Sequence, residues 1–143
     1  ELTLHDFIEQ TLQQWLLMRP HAQFHWQSSN KTQSPLVQYP QVLQQAMINL
    51  LDNAMSVSSE PLILNLKWDQ SSWLFSIKDN GPGLEKEFEL PNSPMSSEKG
   101  MGIGLLLSHS SVQRLGGKVT LSNDLAKGCL TEVAMPLNKT EMI

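Results

Sequence analysis

Trp73-Leu74-Phe75-Ser76-Ile77-Lys78-Asp79-Asn80-Gly81-Pro82-Gly83 is the stretch on which the fold turns. Trp73, Phe75 and Ile77 recur at every second position, the period of a strand with one buried face. Asp79 shares their parity, so its carboxylate is aimed at the core side, where a charge needs partners. Gly81 and Gly83 just beyond it admit a positive φ or a ligand close to the backbone. An Asn-Gly hairpin turn competes with that reading, but no alternating strand follows Gly83.

Upstream, Leu62, Leu64, Leu66 and Trp68 alternate and Asp69-Gln70-Ser71-Ser72 turns the chain, so the two runs predict a hairpin. Before it, Pro40 opens a helix carrying Leu43, Ala46/Met47, Leu50/Leu51 and Ala54 on one face, and stopping near Ser58-Ser59-Glu60-Pro61. Thr3-Leu4-His5-Asp6 has the form of a capping box and predicts a helix over 4–18, ended by Arg19-Pro20. Ala22, Phe24 and Trp26 alternate as a strand, Ser28–Lys31 turns, and 35–39 is a short extended piece.

Downstream, residues 80–100 are rich in Gly, Pro, Ser and Glu without a sustained period, which reads as a functional lid loop. Leu105, Ser108/His109, Val112 and Leu115 predict a third helix closed by Gly116-Gly117, followed by strands at 118–123 and about 129–137. The ends, 1–3 and 138–143, are expected to fray. Helices and antiparallel pairs are partly segregated along the chain, which favours an α+β two-layer sandwich over a doubly wound sheet.

The 143 residues suffice for one domain with a real core, at 40% hydrophobic and 17% charged. Ten Lys+Arg against fourteen Asp+Glu leave a net charge of −4 with no basic cluster, which argues against a nucleic-acid or anionic-membrane surface. The longest apolar run, Trp15–Met18, is far short of the roughly 20 residues that span a bilayer. Cys129 is the one cysteine, read as a small strand hydrophobe in a reducing compartment.

Two further constellations carry chemistry. Asn49 and Asn53 stand one helical turn apart, and because Asn is a poor helix former the pair reads either as a site or as a solvated polar stripe. Gly100-Met101-Gly102-Ile103-Gly104-Leu105 leads into the third helix, where free backbone N–H groups and the positive dipole end suit phosphate oxygens. A dinucleotide-binding fold is excluded because 93–99 is not a strand and Leu105 stands where a third glycine is needed; a P-loop is excluded because no Gly-Lys-Ser/Thr follows.

In this order, helix-borne Asn, strand-Asp-x-Gly-x-Gly, loop, then Gly-x-Gly-x-Gly-Leu opening a helix, the chain resembles the nucleotide-binding domain of the GHKL ATPase/kinase superfamily. The likeness is greatest to the catalytic ATP-binding domain of sensor histidine kinases, and runs from the first helix to about Leu137. It implies a Bergerat-type sandwich: a mixed, mainly antiparallel sheet with about three helices on one face and an ATP lid loop. The resemblance makes Asn53 the Mg²⁺ ligand, Asn49 a residue near the phosphates and Asp79 the acceptor for the adenine amine. By the same likeness Gly81 and Gly83 shape the adenine pocket, Gly100, Gly102, Gly104 and Leu105 the phosphate-side loop, and Lys99 is the basic lid residue within reach of a phosphate.

The departures are specific. Met55-Ser56-Val57 follows Asn53-Ala54 where many members have a basic and an aromatic residue, giving a fainter likeness to RegB/PrrB-like redox-responding kinases. Met95 follows Pro94 where a lid aromatic is common, and Gly128-Cys129 replaces Gly-Thr unless Thr131 serves by a register slip of two. His5, His21, His25 and His109 lack the sequence context of a phosphoacceptor or a metal site.

The implied function is binding of Mg·ATP and donation of its γ-phosphate to a histidine on a separate dimerisation domain of a two-component kinase. A response regulator would act downstream, and the domain would be the cytoplasmic part of an inner-membrane protein, not itself membrane-bound. The chain alone is expected to bind ATP without autophosphorylating. An anti-sigma-type serine kinase, another GHKL ATPase, or a degenerate non-catalytic module are the alternatives.

Overall fold

The computed structural model describes residues 1–28, 33–82, 102–123 and 128–137, with the backbone alone for 102–106. The elements run β1 (Leu2–Thr3), α1 (Leu4–Met18), β2 (Phe24–Ser28), β3 (Leu36–Val37), α2 (Gln41–Val57), β4 (Leu62–Trp68), β5 (Ser72–Lys78), α3 (Gly102–Arg114), β6 (Lys118–Asn123) and β7 (Cys129–Pro136).

Thr3 caps α1 as expected: its backbone is extended and its hydroxyl accepts from the Asp6 N–H at 3.1 Å. Leu4, Phe7, Ile8, Thr11, Leu12 and Trp15 form the buried stripe, and the helix ends as Arg19 approaches Pro20. The start of the chain is paired rather than frayed, because Leu2 and Thr3 bridge Val37 and Leu36 antiparallel and the Leu4 N–H donates to the Pro35 carbonyl at 2.7 Å. Pro40 is the cap of α2 rather than its first helical residue, since its ψ of 154° is still extended.

Five strands form a mixed sheet in the order β2-β4-β5-β7-β6. Only β2 and β4 are parallel; α2 is the crossover between them. The predicted hairpin joins β4 to β5 in the register Leu64↔Ile77, Leu66↔Phe75, Trp68↔Trp73. Its turn is tied by the Asp69 carboxylate, which accepts from the backbone N–H of Ser71 at 2.7 Å and of Ser72 at 2.9 Å. Those two bonds hold the Asp69 carboxyl below its usual range.

One face of the sheet, carrying Leu62, Leu64, Leu66, Trp73, Phe75, Ile77, Val133 and Met135, is buried with the apolar faces of the helices. The two-layer sandwich expected from the segregated elements is therefore the fold found. Where α1 meets α2 the polar side chains are matched: the buried Gln44 amide donates to the Thr11 hydroxyl, which donates to the Phe7 carbonyl. α3 packs on α2 and ends at Gly116, whose φ of +91° is the left-handed exit that glycine adopts freely.

Candidate functional site

α2, the end of β5 and the start of β7 meet around Asp79. As the strand parity predicted, the Asp79 side chain is buried, with 4% of its surface exposed. Its Oδ1 accepts from the backbone N–H of Gly81 at 2.9 Å and of Cys129 at 3.1 Å, and its own N–H donates to the Cys129 carbonyl at 3.0 Å. The carboxylate is thus oriented through one oxygen, and Oδ2 takes part in neither bond.

Two glycines make this arrangement sterically feasible. A Cβ on Gly81 would lie 2.7 Å from the Val57 carbonyl oxygen and 2.9 Å from its Cγ2, so the turn is pressed against the last residue of α2. Gly128 has φ +89°, and a Cβ there would fall 2.0 Å from the Asp79 carbonyl oxygen and 3.0 Å from Oδ1. Gly81 is where sequence reasoning placed it. Gly128 carries no such local signal in the sequence, because its closeness to Asp79 exists only through β5–β7 pairing.

That pairing also removes the proposed register slip. Thr131 opposes Ile77 one step inward, and Cys129 is the residue beside Asp79. The Cys129 thiol is pushed up to about 11, first by burial and then by the negative charge of Asp79, so it stays protonated at neutral pH.

On α2, Asn53 is half-buried and its side-chain Nδ2 is fully enclosed without a hydrogen-bond partner. Asn49 is engaged along the helix, its Oδ1 accepting from Gln45 at 3.2 Å. Ser56 turns back, its hydroxyl donating to the Asn53 carbonyl at 2.8 Å. Ser108 Oγ and His109 Nδ1 on the adjoining α3 are likewise enclosed and unpartnered, three such atoms on the two packed helices among the described residues. Buried polar groups are almost always satisfied by protein or by ordered water. No group of three His, Cys, Asp or Glu able to hold a metal occurs among the described residues.

Gly102 and Gly104 correct one expectation. They belong to the first turn of α3 rather than to a loop before it. Glycine is tolerated there because the first helical N–H groups have no intrahelical acceptor in any case, so less is lost than in a helix interior. Leu105 follows within the same helix. Gly83, Lys99 and Gly100, with most of the expected lid including Met95, lie outside the described residues.

The model of the histidine kinase-, DNA gyrase B-, and HSP90-like ATPases matches residues 38–139. The chain belongs to this ATPase family. Sporulation kinase E of Bacillus subtilis (strain 168) is 28% identical over 111 residues, covering 73% of the chain and 15% of that protein. The two-component sensor PprA of Pseudomonas aeruginosa is 32% identical over 109 residues, covering 66% of the chain and 12% of its own length. The chain therefore spans a small fraction of these relatives.

Among solved structures, the catalytic domain of histidine kinase ThkA superposes with a TM-score of 0.74 at 21% identity, over 94% of the chain and 95% of that domain. The Acinetobacter baumannii histidine kinase AdeS gives 0.70 at 22% identity, over 96% of the chain and 66% of its own. The fold is that of the histidine kinase catalytic domain, as the order of the three motifs implied. The stretch matched by the ATPase family contains Asn49, Asn53, Asp79 and every glycine named above, whereas α1, β2 and β3 lie N-terminal to it.

Proposed function

We propose that this chain is the ATP-binding catalytic module of a two-component sensor histidine kinase, donating the γ-phosphate of ATP to a histidine on a separate dimerisation domain. The observation that carries this reading is the Asp79 carboxylate, buried, fixed through Oδ1 by two backbone N–H groups, and left with Oδ2 to accept from the adenine amine. Gly81 and Gly83 keep side chains off the base, while the α3 N-terminus with Gly100, Gly102, Gly104 and Leu105 offers backbone N–H groups to phosphate oxygens. Lys99 adds positive charge on the lid side and Asn49 borders the phosphates.

Mg²⁺ fits the residues present. Asn53 supplies a hard amide oxygen from a side chain whose nitrogen is buried and unpartnered, and a metal held mainly by phosphate and water needs few protein ligands. Bound there, Mg²⁺ would neutralise charge on the phosphate oxygens. The protein's own share in phosphoryl transfer is positioning and electrostatic complementarity, with no nucleophile needed in the module. We place the module on the cytoplasmic side of an inner-membrane kinase whose phosphoryl group passes on to a response regulator. Among the described residues, no helix is long and apolar enough to cross a membrane.

Calorimetry tests the site. The wild-type chain is expected to bind ADP and ATP, Asp79→Asn to lose both by more than tenfold, and Asn53→Ala to lose the Mg²⁺ dependence. Undiminished binding by Asp79→Asn would refute the adenine assignment, and absence of binding by the wild type would favour a degenerate interaction module. Supplying a histidine-bearing helical hairpin with labelled ATP separates the kinase reading from an anti-sigma-type serine kinase: phosphoryl transfer should appear on the hairpin and not on the chain itself.

A further inference from the structure

Three consecutive backbone N–H groups at the end of β5 go to three different partners. That of Asp79 donates to the Cys129 carbonyl at 3.0 Å, that of Asn80 to the Ser58 hydroxyl at 3.0 Å, and that of Gly81 to Asp79 Oδ1 at 2.9 Å. The first bond belongs to the strand pairing and the third to the carboxylate itself. The middle one comes from a side chain of another element, the residue that ends α2.

Ser58 is held in place to accept that bond. It is half-buried in extended backbone, with φ −94° and ψ 134°, and its own N–H donates to the Met55 carbonyl at 3.3 Å. Its hydroxyl proton goes to the Glu60 carbonyl at 2.7 Å, so toward Asn80 the oxygen serves as an acceptor. The Asn80 side-chain amide reaches the neighbouring Ser59 hydroxyl at 3.5 Å. Gly81 lets the turn press against the Val57 carbonyl, and Gly128 lets the opposite side press against the Asp79 carbonyl. Between these two close approaches, the Ser58 bond sets where the turn sits on the end of α2.

The carboxylate of Asp79 is only as well aimed as this turn is fixed. A shift of Asn80 moves the Gly81 N–H that holds Oδ1, and Oδ2 swings with it. Hydrogen bonds weaken steeply as their angle departs from linear, so a small swing costs a bond made through Oδ2. We infer that Ser58 is a positioning residue for recognition of the adenine amine, acting through Asn80 and Gly81 on Asp79, and that it thereby sets the preference for adenine over a 6-oxopurine. The inference rests on the adenine assignment above. A 6-oxopurine presents a carbonyl oxygen in place of the amine and cannot donate to Oδ2, so it gains nothing from the aim of the carboxylate.

The test measures binding of ADP and inosine diphosphate, each with Mg²⁺, to the wild-type chain, Ser58→Ala and Ser58→Thr, with urea midpoints establishing that the variants fold. The wild type is expected to prefer ADP. Ser58→Ala should weaken ADP about three- to tenfold, the worth of one neutral hydrogen bond, and leave inosine diphosphate unchanged. Ser58→Thr keeps the hydroxyl in a backbone conformation that suits a β-branched residue, and should restore the ADP affinity. Unchanged ADP affinity in Ser58→Ala, an equal loss for both nucleotides, or a loss that Ser58→Thr does not repair would assign Ser58 to folding and overturn its positioning role alone. A wild-type chain that binds the two nucleotides equally, or neither of them, overturns the adenine assignment together with it.

Discussion

Gly128 and Gly116 have nearly the same backbone conformation, φ +89° and +91°, and very different surroundings. A Cβ on Gly116 would meet only Pro136 Cγ at 3.4 Å, whereas one on Gly128 would collide with the carbonyl of Asp79. Both alanine substitutions carry the left-handed penalty of roughly 1–2 kcal/mol for a residue with a Cβ. Gly116→Ala should therefore lower the unfolding free energy by about that amount and leave ADP affinity as it is. Gly128→Ala should cost about 2 kcal/mol or more and also abolish ADP binding, because the collision forces apart the backbone pairing that orients Asp79. Denaturation and calorimetry on the two variants check this, and equal ADP affinities would show that Gly128 acts through stability only. The burial of Asp79 was legible from the parity of Trp73, Phe75 and Ile77. The close approach of Gly128 to Asp79 was not, since it spans about fifty residues of chain and depends on the β5–β7 register.

At the scale of elements, local chemistry explains where the helices begin and end. Thr3 satisfies an otherwise unpaired N–H of α1, and Gly116-Gly117 close α3 by donating to the Gln113 and Val112 carbonyls. Thr3→Ala is expected to cost about 1 kcal/mol, read as a lower urea midpoint, because one helix-start donor loses its partner. The effect would also reach β1, whose Thr3 pairs with Leu36. A shift under about 0.3 kcal/mol would mean that water replaces the hydroxyl at no cost. The bounds of α2 and the hairpin followed from Pro40, Pro61 and the Asp69 turn. The start of α3 did not, because glycines at every second position read as loop whereas the helix begins at Gly102.

For the whole molecule, the site joins parts that are far apart in sequence, so a bound nucleotide should resist unfolding of the entire domain. A ligand present at a hundred times its dissociation constant stabilises by about 2.7 kcal/mol, or roughly 9 °C for a chain of this length. Thermal unfolding with excess ADP should show that shift in the wild type and none in Asp79→Asn; a shift retained by the variant would place the ligand elsewhere. Sequence alone determined the types of the main helices and strands, the two-layer class, the inward aim of Asp79 and the placing of Asn49 and Asn53 one turn apart on α2. These follow from period, capping and motif order, all of which act over a few residues. Tertiary structure alone decided that β2 runs parallel to β4, that Cys129 rather than Thr131 stands beside Asp79 with Gly128 packed against it, and that Trp15 and Arg19 converge on Asp52. Each of these is a contact between distant segments, fixed by how helices and sheet bury their apolar faces together rather than by any neighbouring residue.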